Sequence, residues 1–200
     1  MSDVSPDPLA AYRSTDDATA ARLESSPAAG DYRRREGFFA AAVLLLEAAV
    51  EAEHWQKRDP MIWPGLYSFR HFVELTLKML ARDTPMLVPG DVPTTHLLSV
   101  LWSPVRGGFL EVFPDDDPGD PVGVIEEALG VLEALDPSGD GLRYATTRQG
   151  APSIPRDVYL DPQALLVLVR EVESVFEAAE SAFDDRQNHL REMHAAFGSY

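Results

Sequence analysis

The sequence predicts an all-α fold. Three observations carry this. Apolar residues recur at helical spacing in three long stretches, no strand-like alternation lasts more than a few residues, and proline- and glycine-rich segments separate the periodic ones. The most informative stretch is Pro64–Leu80. At about 100° per residue, Arg70, Glu74, Tyr67, Lys78, His71 and Arg82 fall within an arc of roughly 120°. Leu66, Phe69, Phe72, Val73, Leu75, Leu77, Met79 and Leu80 occupy the rest of the wheel. A helix so widely apolar must be largely buried, so its polar stripe has to face a cleft, a partner or other polar side chains.

In chain order, residues 1–29 are rich in Asp, Ser, Ala and Pro and read as a flexible N-terminal arm, with weak helical character around Ala10–Leu23. Residues 30–200 read as a single helical domain. A long helix is expected from Asp31, a candidate N-cap, to about Lys57, with Asp59-Pro60 as its stop. The central helix follows from about Trp63 to Arg82. A loop punctuated by Pro85, Pro89 and Pro93 leads to a short helix, His96–Trp102, capped by Thr94 or Thr95. After a second loop, Phe113–Pro121, come a helix over Val122–Leu135 and a turn at Asp136–Gly141. Short extended pieces are expected near 142–160, joined through Gly150. Asp161-Pro162 opens the last helix with an N-cap and an N1 proline, and this helix extends past Phe183 toward Met193.

Composition narrows the function. The 200 residues carry a net charge of −16, which repels polyanions at long range, so a nucleic-acid site would have to be a local basic pocket. Without cysteine there is no disulfide, thiolate nucleophile or Cys-ligated zinc. The N-terminal residues lack a secretory pattern and the longest apolar run, Phe38–Val50, is too short for a bilayer, so a cytoplasmic protein without membrane contact is expected. Two lysines stand against fifteen arginines, which singles out Lys78. No cofactor is implied, since neither a phosphate-cradling glycine loop nor a dinucleotide fingerprint occurs. No metal is implied either. Glu51 and His54 have the spacing of a di-iron ligand pair but lack the second copy, and the calcium-loop-like Asp136–Gly141 has Thr147 where a Glu is required. Arg33, Arg34 and Arg35 are expected to pair with the chain's own acids.

Two further features extend the central stripe: His96 opens its own helix, and Arg143-Tyr144 precedes Gly150. In this order (Arg70-His71, Glu74 and Lys78, then His96 to Trp102, then Arg143-Tyr144, then a terminal helix) the chain resembles HEPN-like proteins, a helical family of bacterial defence, toxin and RNA-processing proteins. The resemblance spans roughly residues 35–185. It implies a bundle of long antiparallel helices, a homodimer, a protein partner from the same system, and a site for RNA or a nucleotide. Nuclease members of that family use an Arg followed four to six residues later by His. Neither Arg186 nor Arg191 stands at that spacing from His189 or His194, and Arg70-His71 are adjacent.

Two readings of the stripe follow. In one, Arg70, Lys78, Arg143 and Tyr144 hold a phosphate while His71, His96 and Glu74 do acid–base work, as a metal-independent ribonuclease requires. In the other, the same residues form a buried polar network in a non-catalytic, acidic interaction subunit.

Overall fold

The computed structural model describes residues 26–114, 117–147, 149–154 and 157–197. Its regular elements are five helices: α1 (Pro27–Glu51), α2 (Trp55–Asp83), α3 (Leu98–Val112), α4 (Pro121–Leu135) and α5 (Pro162–Phe197). Among the described residues there is no strand, and the segment expected to be extended holds one isolated bridge, Thr146 to Pro152. Most of the N-terminal arm, with Ala10–Leu23, lies outside the described residues.

The boundaries differ from the sequence expectation in instructive ways. The first helix starts at Pro27, not Asp31, with Ser26 before a proline at the first helical position. Asp31 therefore lies inside α1, where its carboxylate accepts hydrogen bonds from Arg34 and Arg82. The break between the first two helices falls at Ala52–His54, not at Asp59-Pro60, and α2 runs through both Pro60 and Pro64. Both prolines are solvent-exposed, so the backbone carbonyls they leave without a partner lie on the wet side of the helix. The helix expected over His96–Trp102 starts at Leu98 instead and continues through Pro104 to Val112. Leu97, not Thr94 or Thr95, stands at its N-cap without a side-chain cap bond, so His96 lies in the segment before the helix and does not open it. Asp161 does cap α5, its Oδ1 accepting from Gln163 N at 2.9 Å, and α5 continues to Phe197.

Ring and carbon contacts fix the packing. Gly65 meets Leu45 and Leu46, His71 meets Phe38 and Phe72 meets Phe39, so α1 and α2 are antiparallel. Ion pairs Arg35–Glu180 and Glu47–Arg170 set α5 antiparallel to α1. The core is apolar and continuous: Leu66, Phe69, Phe72, Val73 and Leu77 of α2 belong to one buried cluster with Leu46 of α1, Phe109 of α3, Leu132 of α4, and Phe176 and Phe183 of α5. Gly108 is required where α3 crosses α5, because a Cβ there would stand 2.7 Å from the Phe183 ring.

One consequence matters for the site. The polar stripe of α2 is covered by two irregular segments rather than by a helix. The first, 84–97, is anchored by buried Leu87 and Val88 and by Gln187 of α5, whose Oε1 accepts from Met86 N at 3.4 Å while its Nε2 donates to the Asp83 carbonyl at the end of α2 at 3.1 Å. The second is the turn that follows α4.

Candidate functional site

The α2 stripe, the end of the 84–97 segment and the 136–143 turn enclose a small cleft. It holds about 40 Å³ and is lined by Tyr67, Arg70, His71, Glu74, His96, Gly139 and Arg143. Five residues chosen from the sequence thus meet in one place. Helical spacing puts Arg70, His71 and Glu74 on one face, and chain reversal brings His96 and Arg143 to them.

Glu74 is the hub. Its side chain is buried, and its Oε1 accepts from Lys78 Nζ at 2.7 Å and from His96 Nδ1 at 2.8 Å. Burial pushes this carboxyl upward, but the bonds from Lys78 and His96 outweigh it and hold it below the usual range. An ionised carboxylate can only accept, so Nδ1 of His96 carries the hydrogen of this bond, and in that tautomer the free lone pair is on Nε2. The His96 side chain is 71% exposed, which leaves Nε2 open to solvent.

Arg70 does the opposite of what an anion-binding arginine does. It is 2% exposed, and its Nη2 donates to the His96 carbonyl at 2.8 Å. Nε and Nη1 are buried without hydrogen-bond partners among the described residues, and the nearest carboxylate is Asp136 Oδ2, 3.8 Å from Nε. Asp136 is fully buried, and its oxygens accept from Gly141 N at 2.8 Å and Leu142 N at 3.3 Å. Arg70 therefore positions: it ties the backbone of the 84–97 segment to α2 and faces the clamp of the 136–142 turn. Gly139, at φ +80°, packs its bare Cα against this guanidinium. A Cβ there would lie 3.2 Å from Arg70 Nη2 and 3.4 Å from His96 Cβ.

His71 is half-buried. It stacks on Tyr67 (centroids 5.8 Å apart, planes at 20°) and meets Phe38 edge-on at 4.3 Å. Burial lowers its pKa, with Lys78, His96 and Arg143 acting in the same direction and Glu74 opposing, so the ring is neutral at pH 7. Arg143 is exposed, pairs with Asp140, and lies between the rings of Tyr67 and Tyr144, 5.9 and 5.5 Å from their centroids. Tyr144 contributes through that stacking and does not line the cleft. Lys78 stands at its edge through Glu74.

Asp136, Gly139, Tyr67 and Phe38 were not singled out from sequence. Tyr67 lay on the stripe, and Asp136 and Gly139 lay in the calcium-like turn, but a long-range pairing leaves no local signature. Of the terminal candidates, Arg186 pairs with Glu111 and Arg191 with Asn188, while His189 and His194 are exposed on α5. Of the arginine run, Arg34 pairs with Asp31, and buried Arg35 with Glu36 and Glu180. No group of residues suited to hold a metal ion occurs among the described residues, nor is any of their helices long and apolar enough to cross a membrane.

Comparison with protein-family models, with curated proteins and with solved structures found no match.

Proposed function

We propose that this chain is a HEPN-like component of a bacterial defence or toxin–antitoxin type system, a cytoplasmic homodimer whose cleft binds an RNA or nucleotide phosphate and can cleave RNA without a metal. The order of motifs along the chain and the all-helical fold support the first part. The Glu74–His96 pair carries the second. An imidazole held at Nδ1 by an ionised carboxylate, with Nε2 open beside cations, is the arrangement acid–base catalysis needs. In ribose cleavage, Nε2 would take the 2′-OH proton as that oxygen attacks the adjacent phosphorus, while the P–O5′ bond breaks and the 5′ oxygen leaves with that electron pair and takes a proton from water. Arg143 and Lys78 would meet the phosphate charge, and the Arg143–Tyr144 stack would receive an unpaired base. The cleft is small, about 40 Å³, so sugar and base would lie outside it on this exposed edge.

One observation favours the second reading, a non-catalytic interaction subunit. Arg70, the most buried cation of the stripe, is engaged with the chain's own backbone and with Asp136. The deciding experiment is cleavage of total tRNA by purified protein with EDTA present, comparing wild type with His96→Ala and His71→Ala. Cutting by wild type that His96→Ala abolishes at unchanged helicity supports the ribonuclease. Absence of both cutting and low-salt RNA binding leaves the interaction subunit.

A further inference from the structure

We infer that His96 Nε2 is also a phosphoryl acceptor, so that this protein takes phosphate covalently from a high-energy phosphoramidate or acyl-phosphate donor. This goes beyond RNA binding: in that reading His96 moves a proton, whereas here its nitrogen is the nucleophile.

Four features carry the inference. The side chain is 71% exposed, so a donor can approach Nε2 in line with its leaving group. Nδ1 is bonded at 2.8 Å to Glu74 Oε1, which directs the lone pair to Nε2 and stabilises the positive charge the ring gains as the N–P bond forms. Arg143 lines the same cleft and Lys78 shares Glu74, so cations flank the incoming phosphoryl oxygens. The backbone of His96 is held by Arg70, which keeps the ring in register with Glu74. The remaining histidines lack this setting. His71 is half-buried between Phe38 and Tyr67, and His54, His189 and His194 have no carboxylate partner among the described residues.

The step balances without a further reactant. With phosphoramidate in its N-protonated form, the Nε2 lone pair forms the N–P bond while the donor's P–N bond breaks, and the already protonated nitrogen departs as ammonia with that electron pair. The Nδ1 proton stays between His96 and Glu74.

The test incubates the full chain with phosphoramidate and follows incorporation by intact mass and ³¹P NMR, with His96→Ala, Glu74→Gln and His189→Ala alongside. The expected result is one acid-labile phosphoryl group on Nε2 of His96, absent in His96→Ala and unchanged in His189→Ala. In Glu74→Gln of native helicity it should form at least about tenfold more slowly. Labelling of His54, His189 or His194 as fast as His96, attachment at Nδ1, or no incorporation would each overturn the inference. His96 is exposed, so His96→Ala leaves the core intact.

Discussion

Arg35 and Arg70 are both buried guanidiniums, 4% and 2% exposed, yet they sit in opposite settings. Arg35 joins α1 to α5 and meets two carboxylates, Glu36 and Glu180, each partly exposed. Its charge is matched, and nothing about it calls for a ligand. Arg70 meets a carbonyl and faces, at a distance longer than a hydrogen bond, an aspartate with no access to water. The difference teaches what each is for. Arg35 fastens two helices, whereas Arg70 holds two irregular segments over the polar stripe of α2 and so builds a cleft at whose edge His96 stays in solvent.

The largest test of this contrast is removal of the two charges. Arg70→Met leaves the buried Asp136 without its nearest cation, held only by the Gly141 and Leu142 N–H groups, and should cost about 3–5 kcal/mol in denaturant unfolding. Arg35→Met releases carboxylates that can return to water and should cost only about 1–2 kcal/mol. Adding Asp136→Asn to Arg70→Met should recover part of the loss; equal costs for the two single variants would dissolve the distinction.

Next come two glycines with the same backbone conformation. Gly139 and Gly150 both have φ +80°, but a Cβ on Gly150 would touch nothing within 4 Å. Gly150→Ala should therefore show backbone strain alone, about 1 kcal/mol or about 2–4 °C in Tm. Gly139→Ala should lose more, and its His96 ring resonances should shift while those of Gly150→Ala do not.

Acid sharpens the comparison further. His71 has a lowered pKa, so the unfolded chain binds its proton first and stability falls as pH drops below about 6.5 toward the folded value. Glu74, also lowered, adds its loss at more acidic pH, as pH falls from its ordinary 4.5 through the folded value. His71→Phe should remove the first part of that slope in urea titrations at stepped pH. At the Arg35 end the sign reverses. Glu173 is raised by burial and by Glu177 and Glu36, so its ionisation weakens the fold as pH rises. Glu173→Gln should give the smallest effect here, a slight rise in Tm at pH 7 that vanishes near about pH 4.

Much of this was legible in the sequence because it depends on local periodicity. The stripe of α2, the Asp161 cap and the helix of α4 follow from spacing and capping chemistry. Pro60 and Pro104 misplace boundaries because a proline need not end a helix where water can replace the lost hydrogen bond, and exposure is not a local property. The partnership of Arg70 with Asp136 was hidden for a related reason. The two are joined by the fold across the chain, and an aspartate in a turn is indistinguishable from any other until its burial is known.

The most direct measurement is a long-range ¹H–¹⁵N NMR spectrum of the histidine rings, before and after adding a single-stranded oligoribonucleotide at low salt. The account predicts that neutral His96 is protonated at Nδ1 and bare at Nε2, and that RNA shifts Nε2 of His96 while leaving His189 unmoved. A His96 ring protonated at Nε2, or one that does not respond to RNA, would contradict it.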